Sequence, residues 1–145
     1  MKRIRSLWLI ALFSVFAGYS LSRAETTLEK VDRSAVLVIG TRTGSPPFAY
    51  VNKNNEWVGF SIDLVEKAIL PVLHQKLNKQ IKLEKKESAP QTRIPLLTSN
   101  AVDLIAETMT DTQSRRDQVD FSLTFFATGA QFLVKKGSPI KGLQS

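Results

Sequence analysis

Residues 35–40 (AVLVIG) form an uninterrupted apolar run rich in β-branched side chains. That is the pattern of a strand buried on both faces of a parallel sheet. The segment before it, with Leu28 and Val31 among polar residues, reads as a lead-in. Residues 41–50 (TRTGSPPFAY) are dense in Gly, Ser and Pro and read as a loop, and Asn52 to Asn55 as a turn before Trp57 and Val58. From Ser61 the apolar positions Ile62, Val65, Ile69, Val72 and Leu73 follow helical spacing, which predicts a helix over 61–77 capped by Ser61 or Asp63. Pro71 lies inside that helix and predicts a kink or split near Leu70, because it lacks an amide donor and crowds the preceding turn. Residues 80–87 alternate Ile81 and Leu83 with Lys82 and Glu84, the mark of an edge strand with one wet face. A second helix follows, with Thr92 as cap, Pro95 in the first turn and Ile94, Leu96 and Leu97 on its buried side. Residues 103–107 (DLIAE) read as a third strand, 108–114 as a polar loop, 113–117 as a helical turn, 119–122 as extended chain and 128–136 as a last strand.

The order strand, helix, strand, helix, strand makes a parallel α/β sheet with flanking helices the expected architecture. Ligands of such sheets lie outside the carboxyl ends of the strands. Three loops occupy that place, 41–50, 88–93 and 108–112, and each carries or adjoins an arginine.

Composition narrows the chemistry. A length of 145 residues suits one domain or a piece of one. With no Cys, disulfides, thiolate metal sites and cysteine nucleophiles are excluded. The single histidine, His74, has no carboxylates at metal or relay spacing, so neither a metal nor any other cofactor is expected. A net charge of +7 suggests nucleic acid until its distribution is considered. Lys2, Arg3 and Arg5 precede an apolar run over residues 7–17, which Ser22, Arg23 and Ala24 close. That is the layout of a secretory signal peptide, residues 1–24, cut after Ala24; a membrane span needs about 20 apolar residues. Four of the 20 basic residues and no acidic ones precede Glu25, so the mature chain carries 16 basic against 13 acidic groups, net +3. Nucleic acid is therefore not an expected partner.

The arginines carry the remaining signal. Arg42 stands just beyond the first strand, as a solvated loop residue or a ligand contact. Arg93 falls in the first turn of a helix, where a cation opposes the helix dipole unless an anion is close. Helix amides with a guanidinium make a carboxylate site. Arg115 repeats the arrangement three residues after the candidate cap Thr112, with a salt bridge to Asp117 or Asp120 as the structural alternative. Thr108 and Thr110 follow the third strand at alternate positions, as turn formers or as ligand contacts.

Seven segments in register resemble one family: Pro46-Pro47-Phe48, Gly59-Phe60-Ser61-Ile62-Asp63-Leu64, Arg93-Ile94-Pro95-Leu96-Leu97, Asp103-Leu104-Ile105, Thr110-Asp111-Thr112 with Arg115, Val119-Asp120-Phe121-Ser122, and Leu133-Val134-Lys135-Lys136-Gly137. The family is that of the periplasmic solute-binding proteins of polar-amino-acid ABC transporters, and within it the chain looks most like glutamate/aspartate-binding proteins. The resemblance implies the first-lobe part of a type II periplasmic-binding-protein fold, a periplasmic location, no catalysis, and docking on an ABC permease in the inner membrane; with no Cys, no lipid anchor is expected. It also implies roles for residues. Arg115 and the Thr110 hydroxyl hold a ligand's α-carboxylate, Thr108 helps receive the α-ammonium, and Arg42 and Arg93 meet a side-chain carboxylate. Planar guanidinium forks suit carboxylates, and three arginines suit an acidic amino acid.

Several positions depart from the family pattern. Ser45 stands where many members carry an aromatic ring, Pro90 replaces a hydroxyl, and Glu107 occupies a normally small position, where its carboxylate either neutralises an arginine or favours a cationic ligand. Family members continue beyond the equivalent of Lys141-Gly142-Leu143 into a second lobe and return, so residues 25–145 are expected to form the N-terminal portion of lobe 1. The rival readings are a periplasmic enzyme on the same fold, with Glu107 as its acid, a receptor input domain, and a truncated, non-functional fragment.

Overall fold

The apolar run after Ala35 becomes the middle strand of a three-stranded parallel sheet. The computed structural model describes residues 24–129 and 133–139, and the chain divides into two units between Met109 and Thr110. In the first unit β1 (Val36–Thr41) lies between β5 (Lys82–Glu87) and β6 (Leu104–Ile105), both parallel to it. Val36 pairs with Lys82 and Thr41 with Glu87, so β1 and β5 end together. The expected central and edge strands are in place, and the third is trimmed to two residues.

The buried core consists of Val31, Leu37, Ile39, Val65, Ile81 and Ala106, with Ile69, Leu73, Leu77, Leu83 and Leu104 packed against it. Val31 comes from a helix that the hydrophobic pattern does not predict, α1 (Thr27–Ser34). Thr26 and Glu29 form a reciprocal capping box, and Ala35 ends the helix in the left-handed region at φ 54°. Lys30 of α1 reaches Asp103 Oδ1 at 2.7 Å, and the Val38 amide donates to Asp103 Oδ2 at 2.8 Å. One buried carboxylate thus ties α1, β1 and the start of β6.

Residues 41–58 hold more structure than a loop. β2 (Gly44–Ser45), β3 (Ala49–Val51) and β4 (Trp57–Val58) form an antiparallel sheet. Its β3–β4 turn is closed by Asn52 Oδ1, which accepts from the Asn54 and Glu56 amides, and Asn55 takes φ 61°. Gly59 then launches the next helix at φ 129°, and a Cβ there would lie 2.4 Å from the Phe48 carbonyl oxygen, so only glycine fits.

The predicted 61–77 helix is three segments: α2 (Phe60–Leu64), a π-helical turn over Val65–Ile69, and α3 (Leu70–Leu77). The split falls next to Pro71, as its missing amide demands. The Leu70 amide reaches back to the Val65 carbonyl, widening the helix by one residue just before the proline. Gly59 caps α2 and neither Ser61 nor Asp63 does; the Ser61 hydroxyl is buried without a hydrogen-bond partner among the described residues.

Two further cap assignments change. Thr92 precedes α4 (Arg93–Thr98), but its hydroxyl accepts from the Ala89 amide behind it instead of capping the helix ahead. In the second unit Thr112 precedes α5 (Gln113–Arg116) in an extended conformation, and its hydroxyl faces that of Ser114 at 3.3 Å. The predicted strand over 128–136 is not seen where the chain is described; residues 130–132 lie outside the described residues. Residues 128, 129 and 133–136 carry no strand, and no described strand pairs with them, which an isolated extended segment requires.

Candidate ligand site

The carboxyl ends of β1, β5 and β6 bring four polar side chains to one place. Arg42 follows β1 directly, Ser88 follows β5 directly, Glu107 lies two residues beyond β6, and Arg93 opens α4. Backbone and hydroxyl bonds fix the frame: the Ser88 amide donates to the Thr41 carbonyl at 2.9 Å, and the fully buried Thr41 hydroxyl donates to the Ala106 carbonyl at 2.9 Å.

Glu107 is the centre of this group. It is only 4% exposed, and Ser88 Oγ donates to its Oε1 at 2.8 Å. Arg93 Nε lies 3.5 Å from the same oxygen, and Arg42 Nε lies 3.9 Å from Oε2. Burial pushes the Glu107 carboxyl above the usual carboxylate range, against the opposing pull of Ser88, Arg93 and Arg42.

The two arginines differ in what they have left to offer. Arg93 is 6% exposed, and its Nη1 donates to the Thr108 carbonyl at 2.9 Å. The anion that its place in a first helical turn calls for is therefore internal, the carboxylate of Glu107. Thr108 is engaged through its backbone oxygen. The Arg42 side chain is 34% exposed, and its nearest carboxylate among the described residues is beyond hydrogen-bond distance.

In the second unit Arg115 Nη1 donates to the Thr110 carbonyl at 2.5 Å, so two more predicted site residues lie side by side. The structural alternative for Arg115 is not the pairing observed. Asp117 accepts from Gln113 at 3.0 Å, and the bidentate ion pair of this turn joins Arg116 to Asp111. That pairing holds the Asp111 carboxyl below its usual range.

Sequence reasoning reached the three arginines and two threonines, and it noted Glu107 only as a departure. It missed Ser88 and Asp103. A serine directly after a strand has no distinctive neighbours, whereas an aspartate opening an apolar pair after a helix end is a readable hint of backbone capping.

Residues 37–141 match the bacterial extracellular solute-binding proteins, family 3. The chain belongs to this family. The ABC transporter glutamine-binding protein GlnH of Bacillus subtilis (strain 168) is 35% identical over the whole chain and 56% of its own length. The glutamate/aspartate import solute-binding protein of Escherichia coli (strain K12) is 39% identical over 81% of this chain and 39% of its own length. The chain thus spans about half the length of these relatives. Among solved structures, a mutant of the arginine-bound form of domain 1 from TmArgBP superposes with a TM-score of 0.60 at 27% identity, covering 70% of this chain and 74% of that one. The architecture is part of the type II periplasmic-binding-protein fold.

Proposed function

We propose that this family 3 chain takes part in amino-acid uptake by an ABC importer, docking on a permease in the inner membrane, and that its ligand is an acidic amino acid, glutamate or aspartate. The observation that carries the reading is Arg42. It stands at the carboxyl end of the central strand, is partly open to solvent, and lies beyond hydrogen-bond range of Glu107, its ion-pair partner among the described residues. Glu107 already answers Arg93, so the group as a whole retains one positive charge for a ligand carboxylate. A buried ligand charge is costly unless paired, which makes Arg42 the residue that selects acidic side chains. We assign Arg115, with the Thr110 hydroxyl, to a ligand carboxylate as well. Arg93 then acts as a positioning residue, holding Glu107 and the Thr108 carbonyl. The role is binding rather than catalysis, in keeping with the solute-binding family that the chain matches.

A second reading rests on a specific observation. Glu107 Oε2 is buried and accepts no hydrogen bond among the described residues, which suits a ligand cation; domain 1 of TmArgBP is known in an arginine-bound form. Calorimetric titration of the purified chain with glutamate, aspartate, glutamine, arginine and cystine separates the two. Binding of glutamate or aspartate in preference to the others supports the first reading. Preference for arginine overturns it and makes Glu107 the ligand carboxylate. We further propose that the exported protein begins at Glu25 after removal of residues 1–24. Its intact mass tests this, and retention of Met1 contradicts it.

A further inference from the structure

Glu107 is more than a partner for Arg93. Its two oxygens have different surroundings. Oε1 is held by Ser88 and Arg93, both buried, whereas Oε2 accepts no hydrogen bond among the described residues and lies 3.9 Å from Nε of the partly exposed Arg42. Among the described residues the charged groups paired with this carboxylate are Arg42 from the end of β1 and Arg93 from α4, while Ser88, directly after β5, contributes a neutral hydroxyl. Glu87, the last residue of β5, is engaged by Thr43 Oγ1 at 2.8 Å. Part of the compensation that keeps a buried carboxylate ionised, after the larger pulls of Ser88 and Arg93, thus comes from the same guanidinium that meets the ligand in the reading above, on which this inference rests.

A ligand carboxylate on Arg42 withdraws that compensation and sets a second negative charge near Glu107. Two carboxylates sharing one cationic site resist joint ionisation, and the less solvated one takes up a proton. We infer that Glu107 couples binding of an acidic amino acid to uptake of a proton, so that the buried carboxylate is a charge gate on Arg42. Protonation neutralises Glu107 and supplies a hydroxyl that can donate a hydrogen bond. The upward displacement that burial already gives the Glu107 carboxyl brings this event toward neutral pH.

The sign follows from linkage. If binding raises the affinity of Glu107 for a proton, protons raise the affinity for ligand. Affinity for glutamate then falls as pH rises through the interval between the free and bound states, by up to about tenfold per pH unit. The ring of His74 is engaged by the Ile81 carbonyl at 3.1 Å, and Glu107→Gln leaves that contact in place.

The test is calorimetric titration of the full chain with L-glutamate between about pH 5.5 and 8, in phosphate and in Tris, whose ionisation enthalpies differ. The expected result is a buffer-dependent heat corresponding to uptake of up to about one proton per glutamate, with affinity decreasing toward pH 8. In Glu107→Gln the two buffers agree, and glutamate affinity is flat with pH and higher at pH 8 than in the unaltered protein. Buffer-independent heats for glutamate in the unaltered chain overturn this inference while leaving the acidic-ligand reading intact, and need no variant to fold. Absence of binding by glutamate and aspartate overturns that reading and this inference with it.

Discussion

The two units treat an arginine and a carboxylate in opposite ways. In the second unit Arg116 grips Asp111 with two hydrogen bonds at an exposed site, and in the first Arg93 meets Glu107 at 3.5 Å in a buried one. Geometry alone would rank the first of these stronger. Solvent reverses the order, because an exposed pair exchanges one well-hydrated state for another, whereas a buried charge that loses its partner has no water to replace it. Contact distance is therefore a poor guide to energetic weight here, and burial a good one.

That comparison breaks most easily at Arg93. Arg93→Ala removes the buried cation that faces Glu107 and is expected to cost about 3 to 5 kcal/mol of stability, read as a lower urea midpoint. A loss below about 1 kcal/mol, the range of exposed pairs, would mean that Glu107 is not charged in the folded chain.

The pH dependence sharpens the contrast, since the two carboxylates shift in opposite directions. Glu107 is raised above its ordinary value of 4.5, so its contribution to stability is fully present below that value and is lost as pH rises through the folded-state value. Asp111 is lowered from 3.8, so its contribution is present above that value and is lost as pH falls through the folded-state value. Subtracting the urea midpoints of Glu107→Gln from those of the unaltered chain should give a difference that becomes less favourable to the unaltered chain as pH rises from 4.5. A difference that is flat or grows more favourable contradicts the assignment.

The smallest effect belongs to the exposed pair. Asp111→Ala should leave the midpoint within measurement error at high salt, where screening removes what little an exposed pair supplies. A clear, salt-insensitive loss would show that this pair is not governed by solvent.

How much of this was legible in the sequence follows from the kind of force involved. The AVLVIG strand, the edge strand at 80–87 and the helix broken at Pro71 all appear, because periodicity and a missing amide are local properties. Helix α1 escaped a reading based on apolar spacing, since it buries only Val31; its signal was the Thr26–Glu29 capping pair. The hairpin of β3 and β4 was split between a loop and a turn, although Asn52 and Asn55 marked its centre. Arg93 was visible as a misplaced cation and Arg42 as a loop arginine just beyond a strand. Their division into one with an internal anion and one partly open to solvent was not, because it depends on Glu107 and Ser88, contributed by β6 and β5 from 14 residues ahead and five behind Arg93.

The division of labour between Arg42 and Arg93 is the claim on which the function rests. Its most direct test is the ratio of glutamate to glutamine affinity, measured by calorimetry in the unaltered chain and in Arg42→Ala. The two ligands differ only in the side-chain carboxylate. If Arg42 holds that carboxylate, its loss should cost glutamate about 2 to 5 kcal/mol and leave glutamine little changed, so the preference for glutamate collapses. An unchanged ratio in a folded Arg42→Ala protein would contradict the account and move the selecting charge elsewhere.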